Sequence, residues 1–146
     1  MNIRIFKATD YNNAYTLWQA TPGMGLNDID DSREGIEKYL VRNPKTSFVA
    51  ELDDKIVGTI LAGHDGRRGY IYHTCVANEV RKNGIGTKLA ETALEALSHE
   101  GISKVALVVF KHNERGNAFW EQIEFPTRPD LNYRNKSLID LNRLNT

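Results

Sequence analysis

Val80-Arg81-Lys82-Asn83-Gly84-Ile85-Gly86-Thr87-Lys88-Leu89 is the stretch that decides how this chain reads. Two cations and two glycines stand just ahead of a helical pattern. Ile85, Leu89, Ala93 and Leu97 recur at helical spacing, which predicts a helix from about Gly84 to Glu100 with Gly101 as its stop. A helix start presents unpaired backbone N–H groups, and its dipole favours negative charge. A diphosphate needs that environment. Gly84 and Gly86 put no Cβ between backbone and ligand, and Arg81 and Lys82 offer charge-assisted contacts.

Two familiar phosphate-binding patterns fail here. G-x-x-x-x-G-K-[ST] is absent, because no glycine stands five before Gly86. G-x-G-x-x-G requires a third glycine where Leu89 stands, and an acid further on where Lys104 stands. A third pattern, [RQ]-x-x-G-x-[GA], is met by Arg81, Gly84 and Gly86. Taken alone, the stretch also fits a glycine-containing turn before a surface helix.

The rest of the composition sets bounds. A chain of 146 residues, 40% apolar and 26% charged, is expected to form one domain, residues 1–146. Its formal net charge of zero gives no overall field to gather nucleic acid. No apolar run is long enough for a bilayer, and Met1-Asn2-Ile3-Arg4-Ile5 is not a signal peptide. A single cysteine, Cys75, excludes an intrachain disulfide, and no Cys/His metal pattern stands out. The expectation is a cytoplasmic protein with neither nucleic-acid nor membrane partner and no bound metal.

Taken in order, residues 2–6 read as a short strand. Thr9 or Asp10 can cap a helix carrying Tyr11, Ala14, Tyr15, Leu17 and Trp18. Asp31-Ser32-Arg33-Glu34 reads as a capping box before a helix burying Ile36, Tyr39 and Leu40. Residues 47–52 and 55–62 form two strands joined at Asp53-Asp54. The second is nearly all apolar, so both its faces are expected to be covered. Residues 70–76 form the next strand. Val105-Ala106-Leu107-Val108-Val109-Phe110 reads as a fully buried strand, parallel to it through the intervening helix. Residues 113–123 form a last helix with Ala118, Phe119 and Ile123 inward. Residues 126–132 are loop-like, and residues 135–141 are expected to close the sheet as a strand.

The loop resembles the acetyl-CoA pyrophosphate loop of the GNAT superfamily of N-acetyltransferases. The element order β-α-α-β-β-β-α-β-α-β is also similar to that family over nearly the whole chain. Asn113 followed by Ala118-Phe119-Trp120-Glu121 and Phe125 resembles the family's last helix, and Gly63-His64-Asp65-Gly66-Arg67-Arg68-Gly69 a hairpin of one small bacterial branch. The resemblance implies an α/β (α+β) mixed sheet that splays between the strand ending at Val76 and the strand beginning at Val105. Backbone exposed in such a split can pair with a pantetheine arm. It implies acetyl-CoA as co-substrate, held by the backbone at Cys75 and Val76, by Arg81, Lys82, Asn83, Gly84, Ile85, Gly86 and Thr87, and by Asn113 and Trp120. It further implies acetyl transfer to a small-molecule or protein amine by direct attack. Two positions depart from the family. Its frequent helix tyrosine, which protonates the leaving thiolate, is Trp120, and an indole N–H supplies no usable proton. Its usual glycine before the last phenylalanine is Glu124.

The chemistry needs a base, an oxyanion donor and alignment of two reactants. His73 has a suitable intrinsic pKa, and strand alternation sets it opposite Tyr72 and Thr74. Tyr72 is a second candidate and reads better as a cleft wall; Tyr133 is a candidate acid. Cys75 can be a nucleophile, but it reads better as a small buried residue. Asp28, Asp30, Asp31 and Glu34 suit a cationic acceptor or a solvated helix start. Arg67 and Arg68 read as a solvated hairpin tip, and Trp18 as core. The alternative to an enzyme is an acyl-CoA-binding module that lacks the acid at Trp120; a phosphate-gripping interaction domain is a third reading. A homodimer is compatible with all of them.

Overall fold

The computed structural model describes residues 1–144. Five strands form one sheet in the order β1-β2-β3-β4-β5: β1 (Asn2–Ile5), β2 (Phe48–Leu52), β3 (Lys55–His64), β4 (Gly69–Val76) and β5 (Val105–Ala106). The first four are antiparallel neighbours, and β5 joins β4 in parallel. The helices are α1 (Tyr11–Gln19), α2 (Arg33–Arg42), α3 (Ile85–His99) and α4 (Glu114–Gln122). No helix among the described residues is long and apolar enough to cross a membrane.

Two apolar layers sandwich the sheet. On one side the expected α3 stripe of Ile85, Leu89, Ala93 and Leu97 is buried with Ile60, Ala62 and Ile71. On the other, Ala14 and Trp18 of α1 and Ile36 and Leu40 of α2 are buried with Phe6, Val49, Leu61 and Cys75. β3 lies between the two, which is why its apolar run shows no alternation. The β2–β3 turn forms without glycine, because Asp53 and Asp54 both take positive φ, 52° and 63°.

Several expectations need correction. Only Val105 and Ala106 ladder onto β4, at Gly69 and Tyr70. Residues 107–110 follow no ladder, and Val108 is 56% exposed rather than buried. Their apolar character reflects one covered face, since only Leu107 and Val109 pack on the core. Residues 135–141 form no strand; the closing segment is tied back by an isolated bridge, Asn27 to Arg143. The α2 cap is Ser32, whose hydroxyl accepts from Gly35 N–H, and Asp31 is used elsewhere. In α4 the buried residue is Trp120, Phe119 and Ile123 are half-buried, and Ala118 is exposed. Glu124 holds the left-handed turn its glycine counterpart would hold, at φ 71°. Asp10 stands before α1 without capping it; its carboxylate accepts from Lys7 N–H and from the Arg4 guanidinium.

Candidate active site

The site has two halves, and the first is the start of α3. Gly84 at φ 76° is the cap residue, and no side chain caps the helix. Lys88 N–H reaches back to Gly84 O, which begins the helical ladder. The N–H groups of Ile85, Gly86 and Thr87 therefore belong to the unpaired first turn. The preceding loop is held from inside. Arg81 Nε donates to Val76 O at 3.1 Å and its Nη1 to Asn78 Oδ1 at 3.1 Å. Asn83 Nδ2 donates to Val80 O at 3.0 Å. Arg81 and Asn83 thus shape the loop, while Lys82 is exposed. A Cβ on Gly86 would stand 3.2 Å from Phe119, so this glycine lets α4 seat on α3. Its role differs from Gly84, around which nothing lies within 4 Å.

Beside that helix start the sheet parts. β4 and β5 pair over two residues only, and β4 continues to Val76 with that edge unladdered. Asn113 caps α4, accepting from Gly116 N–H at 2.9 Å. Trp120 is buried between Phe119 and Phe125, ring centroids 4.9 and 5.2 Å away. It belongs first to the core.

The second half is a bulge in β4. Thr59 opposes Cys75 and Leu61 opposes Tyr72, so Ile60 faces both His73 and Thr74. His73 takes φ 36°, an uncommon conformation for a residue with a side chain. The bulge overturns the expected alternation: Tyr72 and His73 point to the same side of the sheet. Tyr72 packs edge-on against Tyr39 of α2 at 5.9 Å, and His73 against Trp18 of α1 at 4.8 Å. Buried hydrogen bonds hold the kink. Trp18 Nε1 donates to Thr59 Oγ1 at 2.9 Å, and the Thr59 hydroxyl donates to His73 O at 3.0 Å.

His73 Nε2 meets Asp31 Oδ1 at 2.5 Å, with both side chains close to buried, 11% and 6% exposed. Asp31 Oδ2 accepts from Asn27 N–H, and Asp31 O accepts from Tyr11 OH. A carboxylate only accepts, so the hydrogen of this bond rides on Nε2. In the neutral ring Nδ1 then carries the lone pair, and it has no partner among the described residues. Thr59 was not legible as a site residue, and Asp31, read as an acceptor-binding acid or a helix start, was not legible as the partner of His73. The signals available were a hydroxyl in the apolar run of β3 and an acid just before the Ser32 cap. Of the other acids, Asp28 accepts from Asn142 through backbone and side chain, and Asp30 accepts from Asn27 Nδ2.

The remaining candidates separate. Burial pushes the Cys75 thiol up to about 11, and it lies in the α1–α2 core, so only its backbone is available. Tyr133 is exposed and lies close enough to Tyr70 to add to burial in raising its hydroxyl pKa. Arg67 and Arg68 are exposed, their N–H groups bound to Asp65 Oδ1.

A parted sheet with an uncapped helix start at its mouth defines a mixed α/β fold with an anion-accepting end. Residues 11–125 match the model of the acetyltransferase (GNAT) family. An acetyltransferase of Photorhabdus laumondii is 34% identical over 128 residues, covering 88% of each chain. Two solved structures share the fold. The Ard1 protein of Thermoplasma volcanium gives a TM-score of 0.76 at 20% identity, covering 86% of this chain and 82% of that one. A predicted acetyltransferase from Clostridium acetobutylicum, solved with acetyl-CoA, gives 0.74 at 19% identity, covering 92% and 95%. The chain belongs to the GNAT acetyltransferase family, and it is an acetyltransferase.

Proposed function

We propose that the protein transfers the acetyl group of acetyl-CoA to a primary amine by direct attack in a ternary complex. The observation that carries this reading is the juxtaposition of an uncapped α3 start with the parted β4–β5 edge. The first offers unpaired N–H groups of the kind that take a diphosphate. The second leaves backbone for an extended pantetheine arm. Lys82 adds a cation at the mouth.

In the reaction the amine nitrogen bonds to the thioester carbon as the C–S bond breaks, a second nitrogen proton passes to the departing thiolate, and before the attack the ammonium must give up one proton. His73 Nδ1 takes that proton, while Asp31 fixes the ring through Nε2. A tautomer held by a buried carboxylate keeps the accepting lone pair in one orientation. The CoA thiolate leaves without a side-chain acid from α4, because Trp120 has only an indole N–H. Amine-dependent release of CoA thiol from acetyl-CoA, with one acetyl group gained by the amine, tests the reading. Thiol release at the same rate with and without any amine of a broad panel would contradict it.

A further inference from the structure

We propose that the acceptor is a short aliphatic diamine, whose second, still charged nitrogen sits on the tyrosine face of β4 beside Asp30. This rests on the acetyl-transfer reading above and narrows its substrate class.

The face exists because of the bulge. Tyr70, Tyr72 and His73 crowd the same side of β4, with Tyr70 and Tyr72 ring centroids 4.7 Å apart at 42°. Tyr39 backs Tyr72 from α2 at 89°. Its hydroxyl is the one buried side-chain polar atom without a partner among the described residues. Tyr133 reaches the pair from the C-terminal segment. The face is open: Tyr72 is 46% exposed and Tyr133 66%.

Burial, then Tyr133 and Tyr72, push the Tyr70 hydroxyl up to about 12, and burial followed by Tyr133 and Asp30 raises that of Tyr72. Both remain neutral phenols near pH 7. The face attracts cations through ring quadrupoles and not through phenolate charge. Asp30, exposed and close enough to influence Tyr72, supplies the formal negative charge. The nearby cation Arg33 is already placed over the Tyr11 ring at 4.9 Å.

Chemistry decides which nitrogen binds here. The attacking nitrogen has to lose a proton at His73 before it can bond to carbon, so a cation-selective surface cannot serve it in the reacting state. It serves a second ammonium on the same molecule. The Tyr72 and His73 rings are neighbours, centroids 6.4 Å apart, so a molecule reaching from the base to this face needs only a short stem. The bonds and protons balance: C–N forms, C–S breaks, the attacking ammonium gives one proton to His73 before the attack and its second to the departing thiolate, and the distal ammonium is unchanged.

The test compares 1,4-diaminobutane with butylamine and 4-amino-1-butanol, which keep the stem and lose the distal charge. The expected kcat/KM favours the diamine by about tenfold or more, the range of a partly desolvated cation–π contact plus a carboxylate. Tyr72→Leu should collapse that ratio to near one, and Tyr72→Phe should retain it because the ring face survives. Calorimetric titration of 1,4-diaminobutane into the CoA complex reads the site even without turnover. Equal kcat/KM for the diamine and butylamine, an unchanged ratio in Tyr72→Leu, or a lysine peptide preferred over the diamine would each overturn the proposal. Turnover of monoamines only would overturn it and leave the acetyl-transfer reading standing. Diamine binding without turnover of any amine would overturn the acetyl-transfer reading and the acceptor assignment with it, leaving only a diamine-binding surface.

Discussion

Asp31 and His73 are 42 residues apart in sequence and joined at 2.5 Å through Oδ1 and Nε2. Nothing local arranges this. Asp31 is held by Asn27 N–H, and the His73 carbonyl by the Thr59 hydroxyl, itself bound by Trp18. Each partner is thus held by contacts independent of the pair, the His73 ring also by Trp18, so little side-chain freedom remains for the pair to remove.

The pair sets the first prediction. His73→Asn keeps a residue that tolerates positive φ but removes the base. Its kcat should fall by about 10²–10⁴-fold, the ordinary contribution of a positioned base, with CoA affinity changed little. Asp31→Asn leaves the base but loses its orientation, so kcat should fall by less. An unchanged pH–rate profile in His73→Asn would remove His73 from the mechanism.

Two glycines of the loop should respond differently. Gly86→Val forces a side chain toward Phe119, where even a Cβ stands at 3.2 Å, and should destabilise by about 1–3 kcal/mol. Gly84→Ala meets no neighbour and should cost about 1 kcal/mol for its left-handed φ. Thermal unfolding separates them. CoA titration of Gly84→Ala then reads the loop without disturbing the α3–α4 contact.

Trp120 is core before it is cleft. Trp120→Ala should cost about 3–5 kcal/mol as a large cavity, seen as a lower Tm. Trp120→Tyr restores the hydroxyl common in the family. It should change kcat by less than about tenfold, or 1.4 kcal/mol in barrier. A large rise in kcat would mean that acid catalysis is the missing part.

Acid titration tests the β1 end of the sheet. Burial opposes the charge of Asp10, but hydrogen bonds from Arg4 and Lys7 and the two cations outweigh it, so its pKa is lowered from 3.8. A depressed carboxylate pKa adds stability that is fully present above 3.8 and is lost as pH falls through the folded value. Asp10→Asn should therefore be less stable than the parent at neutral pH, and the gap should close as pH drops below about 4. A constant gap across this range in chemical-denaturation curves would show that Asp10 does not carry the effect.

Some of this was legible in the residues and some was not. The α3 stripe, both-faces burial of β3 and the Asp53-Asp54 hairpin follow from local periodicity and turn chemistry, which neighbouring residues determine. The loop motif pointed to the start of α3, where the uncapped first turn is found. The bulge was not legible, because alternation is a rule for regular strands and the extra residue is fixed by Thr59 on another strand. For the same reason Tyr72 and His73 were expected on opposite faces. Residues 107–110 and 135–141 carry strand-like composition but find no ladder, and pairing is a tertiary event that β-propensity does not determine. Arg81 reads as a phosphate ligand because charge is visible in sequence; that it also ties the loop to Val76 O is not.

The central claim is direct transfer between two bound reactants, and initial-rate kinetics over a grid of acetyl-CoA and amine concentrations tests it most directly. Cys75 is buried with its thiol pushed up to about 11, so it is a poor nucleophile for an acetyl-enzyme route. Intersecting double-reciprocal lines, with Cys75→Ala still active, are the predicted result. Parallel lines, together with an acetyl group trapped on the protein when amine is withheld, would contradict the account.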